Sequence, residues 1–322
     1  MEEFHLATDI SNPSYLAMAV SGKYLYTVNE LNEYQGNPAG TVTAFAVDQT
    51  SFRIKPLNRQ HSGGKGPCHI TLVQNLAQSL AVVSNYSSGI ISVFPLLEDG
   101  SLSELSQTIQ LEGSGPDRKR QESSHAHSFI FAPCKSHGLA CDLGADRIIS
   151  YNIENNILVP VSQFNSAPGS GPRHLVFNLE GKLVYCLNEL NSTVDVLSCS
   201  ADGLEKIQTV STLPGNCTAA STASAVKLSA DARFLYTSNR GHDSIAVFGI
   251  NNTGLLKQEA VIPTDGKTPR DFAIDNCGKF LLVCNQDSDN LTVFSIDQAN
   301  GMLYKKWEYK VPSGVCVAIN RN

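Results

Sequence analysis

One pattern constrains this chain more than any other: a hairpin of two short apolar runs around a small-residue turn, repeated along its length. Residues 171–190 read GPRHLVFNLEGKLVYCLNEL, with HLVF and LVYCL flanking NLEGK. The form returns at 12–29 (NPSYLAMAVSGKYLYTVN), 66–85 (GPCHITLVQNLAQSLAVVSN), 124–142 (SHAHSFIFAPCKSHGLACD), 222–239 (TASAVKLSADARFLYTSN) and 268–285 (TPRDFAIDNCGKFLLVCN). The tail VPSGVCVAIN supplies one further first run. Starts lie about 43–58 residues apart, within or near the period of propeller blades. After each hairpin comes a third run, such as GTVTAFAVD, GIISVFPL or DSIAVFGI, then turn residues (EDG, ADG, NTG, QANG) and a more polar fourth run such as LEKIQTVST. These runs are short, rich in Val, Ile, Phe and Tyr, and bounded by Gly, Asn and Asp, as strands are.

Four strands per unit, radially repeated, predict an all-β fold. The expectation is a seven-bladed β-propeller of four-stranded antiparallel blades, in one domain spanning residues 1–322. Blade seven would be formed by both termini, with GVCVAI as inner and FHLATD as outer strand. No sequence remains for its two middle strands, so that blade is expected to be incomplete or the chain to be shortened at its N-terminus. A WD40 array would carry repeated Trp-Asp, whereas Trp307 is the only tryptophan; a kelch array would carry Gly-Gly in each blade, whereas only Gly63-Gly64 occurs.

Composition narrows the function. Hydrophobic content is 42% and charged content 17%, which suits a β-rich globular protein. A net charge of −6 argues against nucleic acid or an anionic membrane as partner. The nine cysteines include no CxxC and sit mostly in apolar runs, which predicts buried, reduced thiols. The N-terminus MEEFHLATDI has no apolar signal-peptide core, and no apolar stretch approaches the roughly 18–20 residues of a membrane span, so a cytoplasmic location is expected.

In a propeller blade the start of strand one and the end of strand two lie at the same end of the hairpin. The positions opening strand one are Ser14-Tyr15, Cys68-His69, Ala126-His127, Arg173-His174, Ser224-Ala225 and Arg270-Asp271. The positions after strand two are Glu30, Tyr86, Leu143, Glu189, Arg240 and Gln286. The opposite turns (SGK, LEGK, SADAR, NCGK) are ordinary turn chemistry. His69, His125, His127, His174 and His242 are therefore expected at one channel mouth with the arginines and glutamates, the default place for a site. Each histidine taken alone is equally explained by a backbone hydrogen bond. The Asn or Asp ending strand two reads as a structural cap.

With these residues in view, the chain resembles the seven-bladed-propeller lactonases of the 6-phosphogluconolactonase type and their relative, the 3-carboxymuconate lactonizing enzyme. The resemblance spans nearly the whole chain and rests on NPSYLAMAVSGKYLYTVNE, HAHSFIFAP, CDLGADRIISY, GPRHLVFNLEGKLVYCLNEL, FLYTSNRGHDSIAVF and TPRDFAID. It implies a site of one His, two Arg and one Glu, here His127, Arg173, Arg240 and Glu189. His125, His174, His69, Glu30, Arg270 and His242 are expected to bind substrate around them. The expected substrate is a sugar lactone, phosphorylated, and the expected pathway the pentose phosphate pathway. Neither cofactor nor metal is expected, and oligomeric state is left open.

The chemistry is consistent from the residues upward. Lactone hydrolysis needs a deprotonated water, a stabilised oxyanion and a protonated leaving alkoxide. Glu189 or His127 can act as general base or acid. Arg173 and Arg240 offer donor forks for an oxyanion, carboxylate or phosphate, with Arg270 and Lys65 beside them. No GxSxG elbow and no HExxH occurs. Three other readings stay open: a metal-dependent sugar lactonase in which Glu30, Glu189 and Asn residues hold a Ca²⁺-like ion by oxygens, a cycloisomerase using the same four residues, and a non-catalytic binding propeller.

Overall fold

The computed structural model describes residues 6–74 and 78–320. It divides into two compact units, residues 1–162 with 320–322, and residues 163–319. The first unit holds three four-stranded antiparallel sheets, each in chain order. The first sheet is β1 (Pro13–Met18), β2 (Tyr24–Asn29), β3 (Thr41–Val47) and β4 (Ile54–His61). The second is β5 (Pro67–Val73), β6 (Leu80–Asn85), β7 (Ile90–Pro95) and β8 (Gln107–Gln110). The third is β9 (Ala126–Phe131), β10 (His137–Asp142), β11 (Arg147–Glu154) and β12 (Ile157–Asn165), with the unit boundary inside β12.

The second unit repeats the arrangement. Its sheets are β13 (Pro172–Phe177), β14 (Leu183–Asn188), β15 (Thr193–Ser200) and β16 (Gly203–Ser211); β17 (Thr222–Leu228), β18 (Phe234–Arg240), β19 (Ser244–Ile250) and β20 (Leu256–Pro263); and β21 (Pro269–Ile274), β22 (Phe280–Asn285), β23 (Asn290–Ile296) and β24 (Leu303–Lys310). Each sheet is a propeller blade by its connectivity, as the hairpin repeat requires.

Within each unit the core lies between neighbouring sheets. Tyr26, Val28 and Val42 of one sheet pack with Ile70, Val83 and Phe94 of the next. Tyr236, Ile245 and Val247 pack likewise with Phe272, Val283 and Phe294. Fourth strands are the exposed edges and are written accordingly: β24 reads LYKKWEYK, whose lysines discourage pairing with another chain. A buried tyrosine on the second strand of one sheet donates its hydroxyl to a turn glycine carbonyl of the next, Tyr26 to Gly100 at 2.7 Å, Tyr185 to Gly254 at 3.0 Å and Tyr236 to Gly301 at 3.0 Å. At Gly254 (φ +81°) a Cβ would come within 2.0 Å of Leu183 Cδ1, so the turn admits no other residue without movement. The buried Asn or Asp at the end of each second strand, or one residue before it in β18, reaches across the sheet: Asn29 Oδ1 accepts from the hydroxyls of Thr41 and Thr43, both at 3.0 Å.

Every first strand opens with a β-bulge in which one residue drops out of the ladder. The extra residues are Ser14, Cys68, His127, Arg173 and Arg270, while Ser224 and Ala225 together face Ser238. Bulge side chains reach the backbone of the next first strand: Ser14 Oγ to Pro67 O (3.3 Å), Cys68 Sγ to His127 O (3.3 Å), Arg173 Nη1 to Ser224 O, and Ser224 Oγ to Arg270 O (2.6 Å).

A seventh four-stranded blade, expected from both termini and expected to be incomplete, is not formed by the described residues. The described residues build six sheets, and neither residues 6–12 nor 311–320 form a strand. Phe4 and His5 of the expected outer strand lie outside the described residues. The tail segment 314–319 lies instead against side chains, with Val317 beside Cys284, Leu291 and Val293 and its amide on Asp271 Oδ2 at 3.3 Å. A strand needs a backbone partner to complete its ladder, and among the described residues no strand lies beside the tail to supply one. The expectation of buried cysteines also needs amendment. Cys68, Cys141, Cys186 and Cys284 are buried, but Cys134 and Cys277 are exposed because they sit in the hairpin turns PCKSH and DNCGK. No helix among the described residues is long and apolar enough to cross a membrane.

Candidate active site

In the second unit the bulge of β13 and the ends of β14 and β18 bring three charged side chains together. Arg173, the bulge residue, and Glu189, the residue after β14, are 3% and 2% exposed. Arg173 Nε donates to Glu189 Oε2 at 2.8 Å. Arg240, closing β18, places Nη2 at 3.1 Å from the same oxygen. Its side chain retains 17% exposure against 4% for that of Arg173.

The first strand of the adjacent sheet receives both forks. Arg173 Nη1 donates to Ser224 O, and Arg240 Nη2 to Ala223 O at 3.2 Å. The amide of Ala223 in turn donates to Glu189 O at 3.1 Å. His174 lies with its ring nitrogens 3.2 and 3.4 Å from Arg173 Nη1. A buried carboxylate is tolerated only when paired and hydrogen-bonded, and this one meets that condition through two guanidiniums.

Next along the same unit, Asp271 is 2% exposed and takes Lys227 Nζ at 3.5 Å, with Cys316 Sγ at 3.2 Å on its other oxygen. Lys227 and Cys316 were absent from the sequence-derived set. The signal for Lys227 was a lone cation inside the apolar run SAVKL. Arg270 is the bulge residue of β21, and its carbonyl accepts from Ser224 Oγ. His242 is held aside, its Nδ1 2.8 Å from Ser244 Oγ.

The first unit gathers a different set. His125, 4% exposed, stacks on Tyr86 at 4.3 Å with an interplanar angle of 6°. His125 also places Nδ1 3.0 Å from Tyr86 O and Nε2 3.3 Å from Glu122. His127 stands edge-on to the same tyrosine at 5.7 Å. His69 packs on Tyr15 at 4.4 Å. Glu30 follows β2, its amide donating to Asn12 O.

Strand register changes one alignment. The sequence reading set Ala126-His127 beside Arg173-His174, which places His127 opposite His174. Asp142 pairs with Ala126 and Cys141 with Ser128, so His127 is the bulge residue and the counterpart of Arg173.

The chain matches the family described as "Lactonase, 7-bladed beta-propeller" over residues 1–319, and it belongs to that family. It is 35% identical over 321 residues to a 6-phosphogluconolactonase of Bacillus subtilis, covering 98% of this chain and 90% of that protein. To the 6-phosphogluconolactonase of Formosa agariphila it is 34% identical, covering 95% and 87%. Among solved structures, the periplasmic gluconolactonase of Pseudomonas aeruginosa superposes with a TM-score of 0.89 at 31% identity, covering 97% of this chain and 89% of that one. The protein is therefore an enzyme acting on a sugar lactone.

Proposed function

We propose that the protein hydrolyses 6-phosphogluconolactone to 6-phosphogluconate, a step of the pentose phosphate pathway, with Arg173, Glu189 and Arg240 as reactive centre. The observation that carries this reading is the convergence of two guanidiniums on one oxygen of a buried carboxylate. Water attacks the lactone carbonyl carbon, giving up a proton to a general base. The developing oxyanion takes hydrogen bonds from the Arg240 fork, the more accessible of the two. The ring C–O bond then breaks, the leaving alkoxide takes back the proton held by the base, and the carboxylic acid so formed ionises to the carboxylate product. Glu189 serves as the base and also holds both forks in orientation.

Charge supports an anionic substrate. The second unit carries Arg173, Arg240, Arg270 and Lys227 on or at the ends of first and second strands, against the carboxylates Glu189 and Asp271. The Bacillus subtilis and Formosa agariphila relatives are named for the phosphorylated lactone, the Pseudomonas aeruginosa relative for the plain one. The deciding assay is δ-gluconolactone hydrolysis with and without the 6-phosphate, on wild type and Arg240→Ala. Wild type should prefer the phosphorylated substrate. Equal turnover of both would remove the phosphate from the reading, and a wild-type enzyme idle on both would remove the reaction.

A further inference from the structure

The two guanidiniums are aimed by a gap in a strand ladder, and two serine hydroxyls hold that gap. In the other five sheets the ladder resumes at the residue after the bulge, as Tyr15 with Val28, His69 with Ser84, Ser128 with Cys141, His174 with Leu187 and Asp271 with Cys284. In β17 it does not. Ala223 pairs with Asn239, and pairing returns only at Val226 with Thr237. Ala225 is fully buried and has no ladder partner, yet its amide is satisfied: it donates to Ser238 Oγ at 3.0 Å. The side chain of Ser238 thus does what a backbone carbonyl does in the other sheets. On the far side Ser224 Oγ donates to Arg270 O at 2.6 Å and ties the bulge to β21. Between these two anchors lie the carbonyls of Ala223 and Ser224, which accept from Arg240 and Arg173.

We infer that Ser238 and Ser224 are positioning residues for the arginine pair, acting through the β17 bulge rather than on substrate. This rests on the catalytic reading of Arg173 and Arg240 above. Both serines are fully buried, so neither meets solvent or a bound molecule directly. Bulges re-aim backbone groups, and a bulge held open by a side chain is lost when the hydroxyl is removed, because the Ala225 amide must then seek a carbonyl on β18. Closing the ladder would turn the Ala223 and Ser224 carbonyls away from the guanidiniums.

The test has one arm independent of turnover. In wild type the Arg173 Nε–H, bonded to a buried carboxylate, should give a slowly exchanging, shifted arginine side-chain resonance in ¹⁵N NMR. Ser238→Ala and Ser224→Ala should each accelerate its exchange. They should also lower kcat on the phosphorylated lactone by about tenfold, within the roughly 100-fold that a 1 Å misplacement costs, with little change in KM. Ser238→Thr, which keeps the acceptor oxygen, should restore most of both signals. It also carries the test if Ser238→Ala does not fold, since a folded Ser238→Thr with a fast-exchanging Arg173 Nε–H would overturn the inference. Unchanged exchange and unchanged kcat in both folded alanine variants would overturn it as well. Accelerated exchange with unchanged kcat would support the positioning and instead overturn the catalytic role of the arginines.

Discussion

Replacing Glu189 by glutamine tests the centre most directly, because the side chain keeps its shape while the carboxylate becomes a neutral amide. Two guanidiniums within 2.8 and 3.1 Å of Oε2 lose their counter-charge in a site where Glu189 is 2% exposed. A charge-assisted hydrogen bond contributes about 1.5–3 kcal/mol against about 0.5–1.5 for a neutral one, so the two contacts together lose about 2–3 kcal/mol. Leaving buried charge uncompensated brings the expected loss to about 3–5 kcal/mol, a large share of an ordinary domain's stability. Glu189→Gln should therefore lower the denaturation midpoint measurably and, as the general base is lost, cut kcat by about 10²–10⁴-fold. Glu30→Gln, the matched carboxylate after β2, should change neither much. Steady-state kinetics and thermal melts followed by circular dichroism on both variants read the outcome. A Glu189→Gln enzyme with an unchanged melt and near-normal kcat would refute both the buried-pair argument and the assigned role.

Three other outcomes follow from the same structure. Activity should survive exhaustive chelation, because Glu189 Oε2 is occupied by two guanidiniums that compete with any cation; loss on chelation and return with Ca²⁺ would favour the metal-dependent reading. A thiol reagent in the native state should label Cys134 first, since its thiol is lowered despite desolvation by hydrogen bonds from Ser136. Cys284, which burial pushes up to about 12, should react only on unfolding; native labelling of Cys284 in mass spectrometry would contradict the packing. Burial raises the Tyr185 phenol to about 12, so above about pH 10 the unfolded chain releases this proton first and stability falls between about pH 10 and 12. Tyr185→Phe should flatten part of that fall while costing about 1–3 kcal/mol at neutral pH, through the unsatisfied Gly254 carbonyl; denaturant melts across that pH range measure both.

The repeat, its strand boundaries and the pairing of Arg173 with Glu189 were legible in the chain by itself. LVYCLN became β14 at Leu183–Asn188, and the charged residues before and after the hairpin met at one end of it because antiparallel strands return to where they began. Those features are written in alternation and turn chemistry within about twenty residues, where side chains carry the information. What only the tertiary structure decided runs through the backbone or between sheets. The one-residue drop that makes His127 the counterpart of Arg173, the open ladder opposite Ser238 and the carbonyls of Ala223 and Ser224 that receive the guanidiniums leave no mark on residue type. That the described residues form six sheets and not seven belongs to the same class. GVCVAI reads as a strand by composition, but a strand exists only against a partner ladder, and the tail meets the Asp271 carboxylate and apolar side chains instead.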